Sequence, residues 1–488
     1  MQSEVKESNQ TVSVPLTSNH REAGKRGELR FIGAGACALW SISAVLLFQL
    51  AYDFSRLGFL ILLYPVCLLQ LTRASTVRQS FYFGLAVAMV SAAIQLNCFW
   101  KIFGFPAVAL WLILAFWTAL FVSLSRGCLI RFGVVVGGLL IPFLWTGLEY
   151  FRSELYYLRF SWLNIGYAVS DSSTVPLLRW FGCYGVGFLA SALGVAISWC
   201  RPKTAGGSGF LLQPIFLVIL VSASAFVLRQ PGPSAGPEVR VVGVQLEFPI
   251  GAEVVSALNK VLREQPGAQL IILSEYTLDG EVPDKIKTWC RKNQRYLIIG
   301  GKEPAPKANF YDTAYVIGPS GDIVFRQVKS VPIQFFKDGL PAPEQKLWNS
   351  PWGRIGICVC YDLSYSRVTD RLVKLGAQAL IVPTMDVMDW GLRQHELHSR
   401  VAPLRSAEYG IPIIRVASSG ISQITDADGR VIASAGFPGQ GEQISGQVPL
   451  RTNGGSIPWD RWLAKVACIV TAAVMGFLLV RGRHFDFG

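Results

Sequence analysis

The sequence predicts a protein in two parts: an α-helical membrane bundle of about eight transmembrane helices, and an extramembrane domain of layered α/β type. Three observations lead there. Of the 488 residues, 51% are hydrophobic and only 16% are charged, against about 25% charged in an ordinary soluble domain. The apolar residues gather into eight long stretches instead of spreading evenly. Between the seventh and the eighth, the pattern changes to short β-type runs separated by turns and helices.

Residues 1–30 are polar and hold no apolar core, so they read as a mobile basic tail on the cytoplasmic side and not as a signal peptide. The region 31–228 carries seven apolar stretches, at 31–50, 57–71, 81–100, 105–124, 132–148, 175–199 and 210–228. The eighth, 463–480, lies within 451–488 and precedes a short C-terminal tail. Most reach the length of roughly 17–25 residues that a bilayer requires, although 57–71 is short. Stretches this long and uncharged, recurring with short connections, exclude buried helices of one soluble core.

The net charge of +13 does not indicate nucleic acid, because much of the basic charge lies in the tail and in short loops between helices. Arg73 and Arg78, Arg126 and Arg131, Arg201 and Lys203, and Arg481 and Arg483 follow alternate helices. The intervening short loops carry only Arg56 and Lys101, and Arg152 and Arg159 follow the fifth helix. This bias places both termini in the cytoplasm and the residues after 228 outside. Seven of the ten cysteines lie in or beside apolar stretches as small packing residues. Only Cys290, Cys358 and Cys360 belong to the outer domain, which is no disulfide framework.

The Pro/Gly-rich "RQPGPSAGPEVR" marks a linker, 229–238, into a domain at 239–450. Eight β-type runs follow: "VRVVGVQL", "QLIIL", "YLIIG", "AYVIG", "DIVFRQV", "IGICVC", "ALIVP" and "IPIIRVA". Polar residues stand where three of them end: Glu275 in "LIILSEY", Lys329 in "FRQVKSVP" and Cys360 in "RIGICVCYDLS". A rigid sheet holds such groups while loops admit substrate. Each taken alone has a plainer reading, a solvated charge or a packing cysteine. Cys358 and Cys360 are expected on one face of a strand, where a disulfide between them is disfavoured. His395 and His398 in "RQHELHSR" share a helix face but do not form the HExxH pattern. No metal and no organic cofactor is expected.

Together, Glu275, Lys329 and Cys360 resemble the Glu-Lys-Cys triad of the carbon-nitrogen hydrolase (nitrilase) superfamily. "ICVCYDLSY" is similar to that family's nucleophile segment, which selects Cys360 over Cys358, and "LIVPTMDVMDWG", "QHELHSRVAPLRSAEYGIPIIRVASSGIS" and "DADGRVI" agree. Placed between seven helices and an eighth, such a domain resembles the apolipoprotein N-acyltransferase family. "LEYFRSELYYLRFSWLNIGYAVSDSSTVPLLRWFGCYGVGFL" supports this from the membrane half, through Glu149, Arg152, Trp162, Leu163, Gly166, Tyr167, Gly182 and Gly185. The chain departs from the family pattern at Ser274, Asp362, Met385 and Ser419. It also departs in the shorter "KSVPIQFFKDG", where Asp338 or Gln334 takes the place of a glutamate.

The resemblance implies an α-β-β-α sandwich for the outer domain and a multi-pass protein of the bacterial inner membrane with that domain periplasmic. It implies a nucleophilic Cys360, a Glu275 that moves the proton with a pKa raised by burial, and a Lys329 that stabilises the oxyanion. Tyr361 and Asp362 are expected in the oxyanion pocket. Gln245, Trp162, Tyr167, Trp390 and His395 are expected to bind substrate. The implied donor is a glycerophospholipid, and the implied acceptor is the N-terminal amine of a diacylglyceryl cysteine on a lipoprotein. The bilayer is the remaining partner, and a monomer is expected. The alternatives are a membrane-anchored amidase and an acyltransferase with a different amine acceptor.

Overall fold

The computed structural model describes residues 31–170, 175–199 and 235–481. The expected tail 1–30, the seventh apolar stretch 210–228 and most of the linker 229–238 lie outside them. Among the described residues, five helices are long and apolar enough to cross a membrane: Ala34–Asp53, Val77–Gln95, Ala107–Leu155, Val175–Trp199 and Asp460–Val480. A shorter apolar helix runs over Ser55–Leu71.

The helix at Ala107–Leu155 takes up two of the expected stretches, because it folds back on itself. Gly133 has φ 75 and ψ 173, a conformation open to glycine and strained for other residues. Nine residues of straight helix span about 13.5 Å, yet a Cβ placed on Gly137 would lie 2.8 Å from the Cys128 carbonyl oxygen. Across the two arms Phe121 and Trp145 meet edge to face at 4.9 Å. The third stretch stops at Gln95, earlier than expected, and Cys98–Phe103 forms a separate short helix. Trp111 Nε1 donates to the Leu96 carbonyl at that break, 3.1 Å away.

The outer domain is built from two six-stranded sheets. In chain order the strands are β1 (Ala235–Val244), β2 (Leu270–Leu273), β3 (Tyr296–Ala305), β4 (Asn309–Ile317), β5 (Ile323–Val328) and β6 (Leu347–Ser350). They continue as β7 (Gly353–Ile357), β8 (Ala379–Thr384), β9 (Ile413–Ala417), β10 (Ser422–Thr425), β11 (Val431–Ala435) and β12 (Gln443–Arg451). One sheet has the order β12-β1-β2-β3-β4-β5, the other β11-β10-β9-β8-β7-β6. In each, three parallel strands form the middle, β1-β2-β3 and β7-β8-β9, with antiparallel strands outside them.

The period of two decides the layers. Val239, Val241, Leu270 and Ile272 point into the core cluster that includes Ile355, Ile357 and Ile381 of the second sheet. Val242, Val244, Ile271 and Leu273 point the other way, into a cluster with Val254, Leu258 and Val261 of the helix Gly251–Glu264. On the outer side of the second sheet, Val401–Tyr409 packs against the membrane helix Val175–Trp199. The result is the expected α-β-β-α sandwich, with the helix layer of one sheet docked on the bundle.

That docking rests on charge. Gly182 breaks the helix Val175–Trp199 with φ 68, which leaves the N–H groups of Cys183 and Tyr184 at the start of a new helical segment. Such groups need acceptors. Glu408 Oε1 accepts from Cys183 N at 2.7 Å, and Asp460 Oδ2 from Tyr184 N at 2.9 Å. The Glu408 carboxylate also pairs with Arg405 and Arg461, each at 2.7 Å. Burial pushes this carboxyl up, but Arg461 and Arg405 win and hold it down at about 2. A depressed carboxylate contributes stability that is present above its ordinary value of 4.5 and lost as pH falls towards about 2. Thermal unfolding in detergent should show that acid loss. Glu408→Gln should flatten that part of the profile and lower stability by about 3–5 kcal/mol at neutral pH, since it leaves the buried Arg405 guanidinium without its carboxylate, while Arg461 keeps Asp370 and Asp460.

Candidate active site

The strand directions bring the site together. β1, β2 and β3 run parallel, β4 runs back, and β5 returns in their direction, so the carboxyl ends of β2 and β5 lie at the same edge. Glu275 follows β2 and Lys329 follows β5. In the second sheet, Cys360 follows β7 and Met385 follows β8. Carboxyl ends of parallel strands are a usual place for ligand sites.

The expected triad is assembled and buried. Lys329 Nζ lies 2.7 Å from Glu275 Oε1, 2.8 Å from Asp338 Oδ2 and 3.4 Å from Asp312 Oδ2. Glu275 Oε2 accepts the Met385 N–H at 2.6 Å. Cys360 Sγ lies 3.7 Å from the Met385 carbonyl oxygen, and its thiol also interacts with Glu275. β3 approaches so closely here that a Cβ on Gly300 would come within 2.6 Å of the Glu275 Cα, so only glycine fits.

Cys360 is not on the strand. β7 ends at Ile357, and Cys360–Ser364 forms a 3₁₀ turn whose first residue has φ 51. Cys358 and Cys360 therefore do not share a strand face. Cys358 is buried, and its backbone N–H donates to Ile381 O at 3.0 Å. A non-glycine residue at positive φ stores backbone strain, which surrounding contacts must hold. Asp362 supplies part of that hold: its carboxylate accepts the N–H groups of Ser330 at 2.9 Å and Val331 at 2.8 Å. It thereby ties the Cys360 turn to the residues just after Lys329, and it faces backbone, not the cavity.

The electrostatics differ from expectation at Glu275. Burial pushes its carboxyl up, but the Lys329 ammonium and hydrogen bonds outweigh burial and the net shift is downward. Asp312 carries the opposite shift. Burial and the Glu275 charge raise it well above the carboxylate range, so the pair keeps one proton, on Asp312. Burial and then the Glu275 charge raise the Cys360 thiol. The resting site therefore holds a neutral thiol beside an ionised glutamate. The carboxylates of Glu275, Asp312 and Asp338 lie close enough to hold a metal ion, but the Lys329 ammonium stands among them and supplies the positive charge.

Cys360 opens on two sides. One cavity is apolar and is walled by Phe99, Ile102, Phe103, Leu110 and Ile113 of the membrane half together with Trp162, Phe335 and Phe336. The other is more polar, with Glu275, Tyr276, Lys302, Lys329, Lys337 and Asp338 on its wall. Trp390 borders both, and Tyr361 lines the apolar one. Trp162 is held in place by Nε1 donating to Ser364 Oγ at 3.0 Å. Behind it, Glu149 Oε1 accepts the Ile165 N–H at 3.0 Å and Tyr52 donates to the Asn164 carbonyl at 2.7 Å. Gln245, Tyr167 and His395 do not line either space. Gln245 donates to the Gly420 carbonyl, Tyr167 bonds Ser161 at 2.9 Å inside the bundle, and His395 stacks on Phe437 at 4.3 Å.

Asp338, not Gln334, sits on Lys329; Gln334 donates to the Tyr157 carbonyl at 3.2 Å. Asp312 is absent from the expected set. Its signal was a lone carboxylate inside the apolar run of β4, "NFYDTAYVI". Asp386 was missed as well. It is buried between Arg415 and His398, with His398 Nδ1 at 2.7 Å.

A carbon-nitrogen hydrolase sandwich set against a bundle of apolar helices, with its cysteine facing both, defines a membrane-bound member of that superfamily. Comparison with known proteins agrees in both halves. The carbon-nitrogen hydrolase family model matches residues 235–450, and the model of the apolipoprotein N-acyltransferase N-terminal domain matches residues 43–196. The chain belongs to the apolipoprotein N-acyltransferase family. It is 22% identical to apolipoprotein N-acyltransferase of Geobacter metallireducens over 70% of this chain and 74% of that one. It is 23% identical to that of Shewanella oneidensis over 70% and 73%. Omega-amidase NIT2-B of Xenopus laevis is 25% identical over 39% of this chain and 82% of its own. Among solved structures, Nit3 of Saccharomyces cerevisiae is 18% identical, covering 45% of this chain and 93% of its own, with a TM-score of 0.38.

The protonation pattern can be tested. Asp312→Asn keeps the neutral charge and a donor towards Glu275, so single-turnover acylation of Cys360 should stay within about tenfold of the parent. Glu275→Gln removes the base and should cost on the order of 100-fold or more. Equal losses in the two folded variants would assign the proton differently.

Proposed function

We propose that this chain transfers an acyl group from a glycerophospholipid, through a thioester on Cys360, to the N-terminal amine of the diacylglyceryl cysteine of a lipoprotein. The observation that carries this reading is the apolar cavity, which leads from membrane-half residues Phe99, Phe103 and Leu110 to the Cys360 thiol. An acyl chain fits such a wall, and a small polar amide does not use it.

Glu275 takes the thiol proton as Cys360 attacks the ester carbonyl. Lys329 stabilises the oxyanion that develops. Glu275 then returns the proton to the departing lysophospholipid alkoxide. The acceptor amine attacks the thioester in the second half-reaction, and sulfur leaves as the thiol. Ionised Glu275 beside a neutral thiol supports this order of events.

We infer that the protein acts as a monomer in the bacterial inner membrane, with the hydrolase-type domain periplasmic. The helix Val77–Gln95 meets the domain at its Gln95 end, where Arg393 binds it. Arg73, Arg78 and Arg126 lie towards the other end, where Arg126 donates to the carbonyls of Thr72, Ala74 and Ser75. Basic residues gathered on the face away from the domain support a cytoplasmic placement of that face.

Cys360→Ala should abolish the acyl-enzyme detected by mass spectrometry after incubation with phospholipid, and Cys358→Ala should keep it. An acyl group found on Cys358 would reject the assignment. Orientation has its own measurement. A cysteine placed at Lys285, exposed on the domain, should react with an impermeant thiol reagent in cells whose outer membrane alone is permeable. One placed at Arg78 should react only after the inner membrane is opened.

A further inference from the structure

The second half-reaction has a requirement that the Glu-Lys-Cys triad does not meet. An N-terminal amine has a pKa of about 7.7–8.0 and is mostly an ammonium at neutral pH, so it must lose a proton before it can attack. Glu275, held by Lys329 and the Met385 N–H, accounts for the one proton that passes from nitrogen to sulfur during transfer, and the ammonium has a second to lose. The acceptor carries its own lipid, so its amine reaches Cys360 from the bilayer side, through the apolar cavity.

That cavity holds one imidazole, His398, on the same wall as Met385 and Gln394. Its Nδ1 lies 2.7 Å from Asp386 Oδ1, and Asp386 is itself paired with Arg415. Its ring stacks on Trp162 at 4.7 Å between centroids, with 21° between planes. A carboxylate on Nδ1 sets the tautomer with the proton on Nδ1 and the lone pair on Nε2. Nε2 makes no hydrogen bond among the described residues. Burial lowers the pKa of His398 against the pull of Asp386, so at neutral pH the ring is in its basic form. The charged and titratable groups around it are Asp386 from the loop after β8, Arg415 from β9, His395 from its own helix, and Cys360, Tyr361 and Arg159 across the cavity.

We propose that His398, oriented by Asp386, is the proton acceptor for the acceptor amine in the second half-reaction. The inference rests on the function proposed above. One proton passes from the ammonium to His398 Nε2 and leaves later to water. The neutral amine forms the C–N bond to the thioester carbonyl, and the C–S bond breaks. The second N–H proton reaches the sulfur through Glu275, so the products are the amide and the Cys360 thiol.

The test separates the half-reactions in the full-length protein in detergent micelles. Acyl-enzyme is first formed with phosphatidylethanolamine and then mixed with a synthetic diacylglyceryl-cysteine peptide, each step followed by mass spectrometry. His398→Asn retains a donor towards Asp386, and His398→Phe retains the ring on Trp162. In both, the ratio of transfer rate to acylation rate should fall about 100-fold at pH 7. The loss should shrink as pH rises past the pKa of the amine, where the free base is already present. A ratio unchanged in both variants, or a loss that is the same at every pH, overturns the role of His398. Failure of the parent protein to form the acyl-enzyme, or to pass it to the peptide, overturns the proposed function itself.

Discussion

A single buried ammonium organises the catalytic half of this protein. Lys329 stands among Glu275, Asp312 and Asp338 with almost no exposure to solvent. A charge taken out of water is stable only when it is paired and hydrogen-bonded, so the ends of β2, β4 and β5 and the loop at Asp338 must all converge on it. That convergence sets the proton count. With Lys329 charged, Glu275 is ionised, Asp312 keeps its proton, and Cys360 remains a thiol until a carbonyl arrives. The Asp362 carboxylate then fastens the backbone after Lys329 to the turn that carries Cys360. Cys360 and Lys329 are thus tied together by one side chain even though they follow strands of different sheets.

The membrane half is a wall of the site as well as an anchor. Trp162 illustrates the dependence. Its segment is secured inside the bundle by Glu149 and Tyr52, and its indole bonds Ser364 in the turn that carries Cys360. The same indole lies against His398 and, edge to face, against Tyr361 at 5.7 Å. A shift of the bundle against the sandwich therefore moves residues beside Cys360. The Glu408 pair with Arg461 and its bond from the Cys183 N–H oppose such a shift.

The triad was legible in the sequence because each member follows an apolar strand run, and the family motif around Cys360 distinguished it from Cys358. The two-part architecture was legible from hydropathy alone. β6, β10, β11 and β12 were not, since "LWNS", "SQIT", "VIASA" and "QISGQVPLR" are short or polar and owe their conformation to pairing at sheet edges. The fold-back at Gly133 could be read as two helices but not as one close-packed hairpin. Glu275 was expected to have a raised pKa on the ground of burial. The outcome is the reverse because the partner that decides it, Lys329, lies 54 positions away in the chain and 2.7 Å away in space. His395 attracted notice as a histidine in a family-like block, yet it is His398, three residues on, that lines the cavity.

A Glu-Lys-Cys triad is equally suited to hydrolysis and to transfer, so what separates the two must lie outside it. Both reactions pass through a thioester, and water competes with any amine for that intermediate. On its bilayer side the thioester would face a cavity walled by Phe99, Phe103, Trp162, Phe335 and Phe336, whose aromatic faces offer water no partners. Excluding water protects a reactive intermediate and strengthens every charge interaction around it. It also removes the solvent that would otherwise take a proton from an incoming ammonium. On the apolar side, from which the amine arrives, a base independent of solvent is therefore needed, and among the residues that wall the apolar cavity His398 is the one imidazole. The apolar wall and the Asp386–His398 pair are two parts of one requirement: the first keeps water from the side where the amine enters, and in the proposed transfer the second takes the proton that water would have taken there.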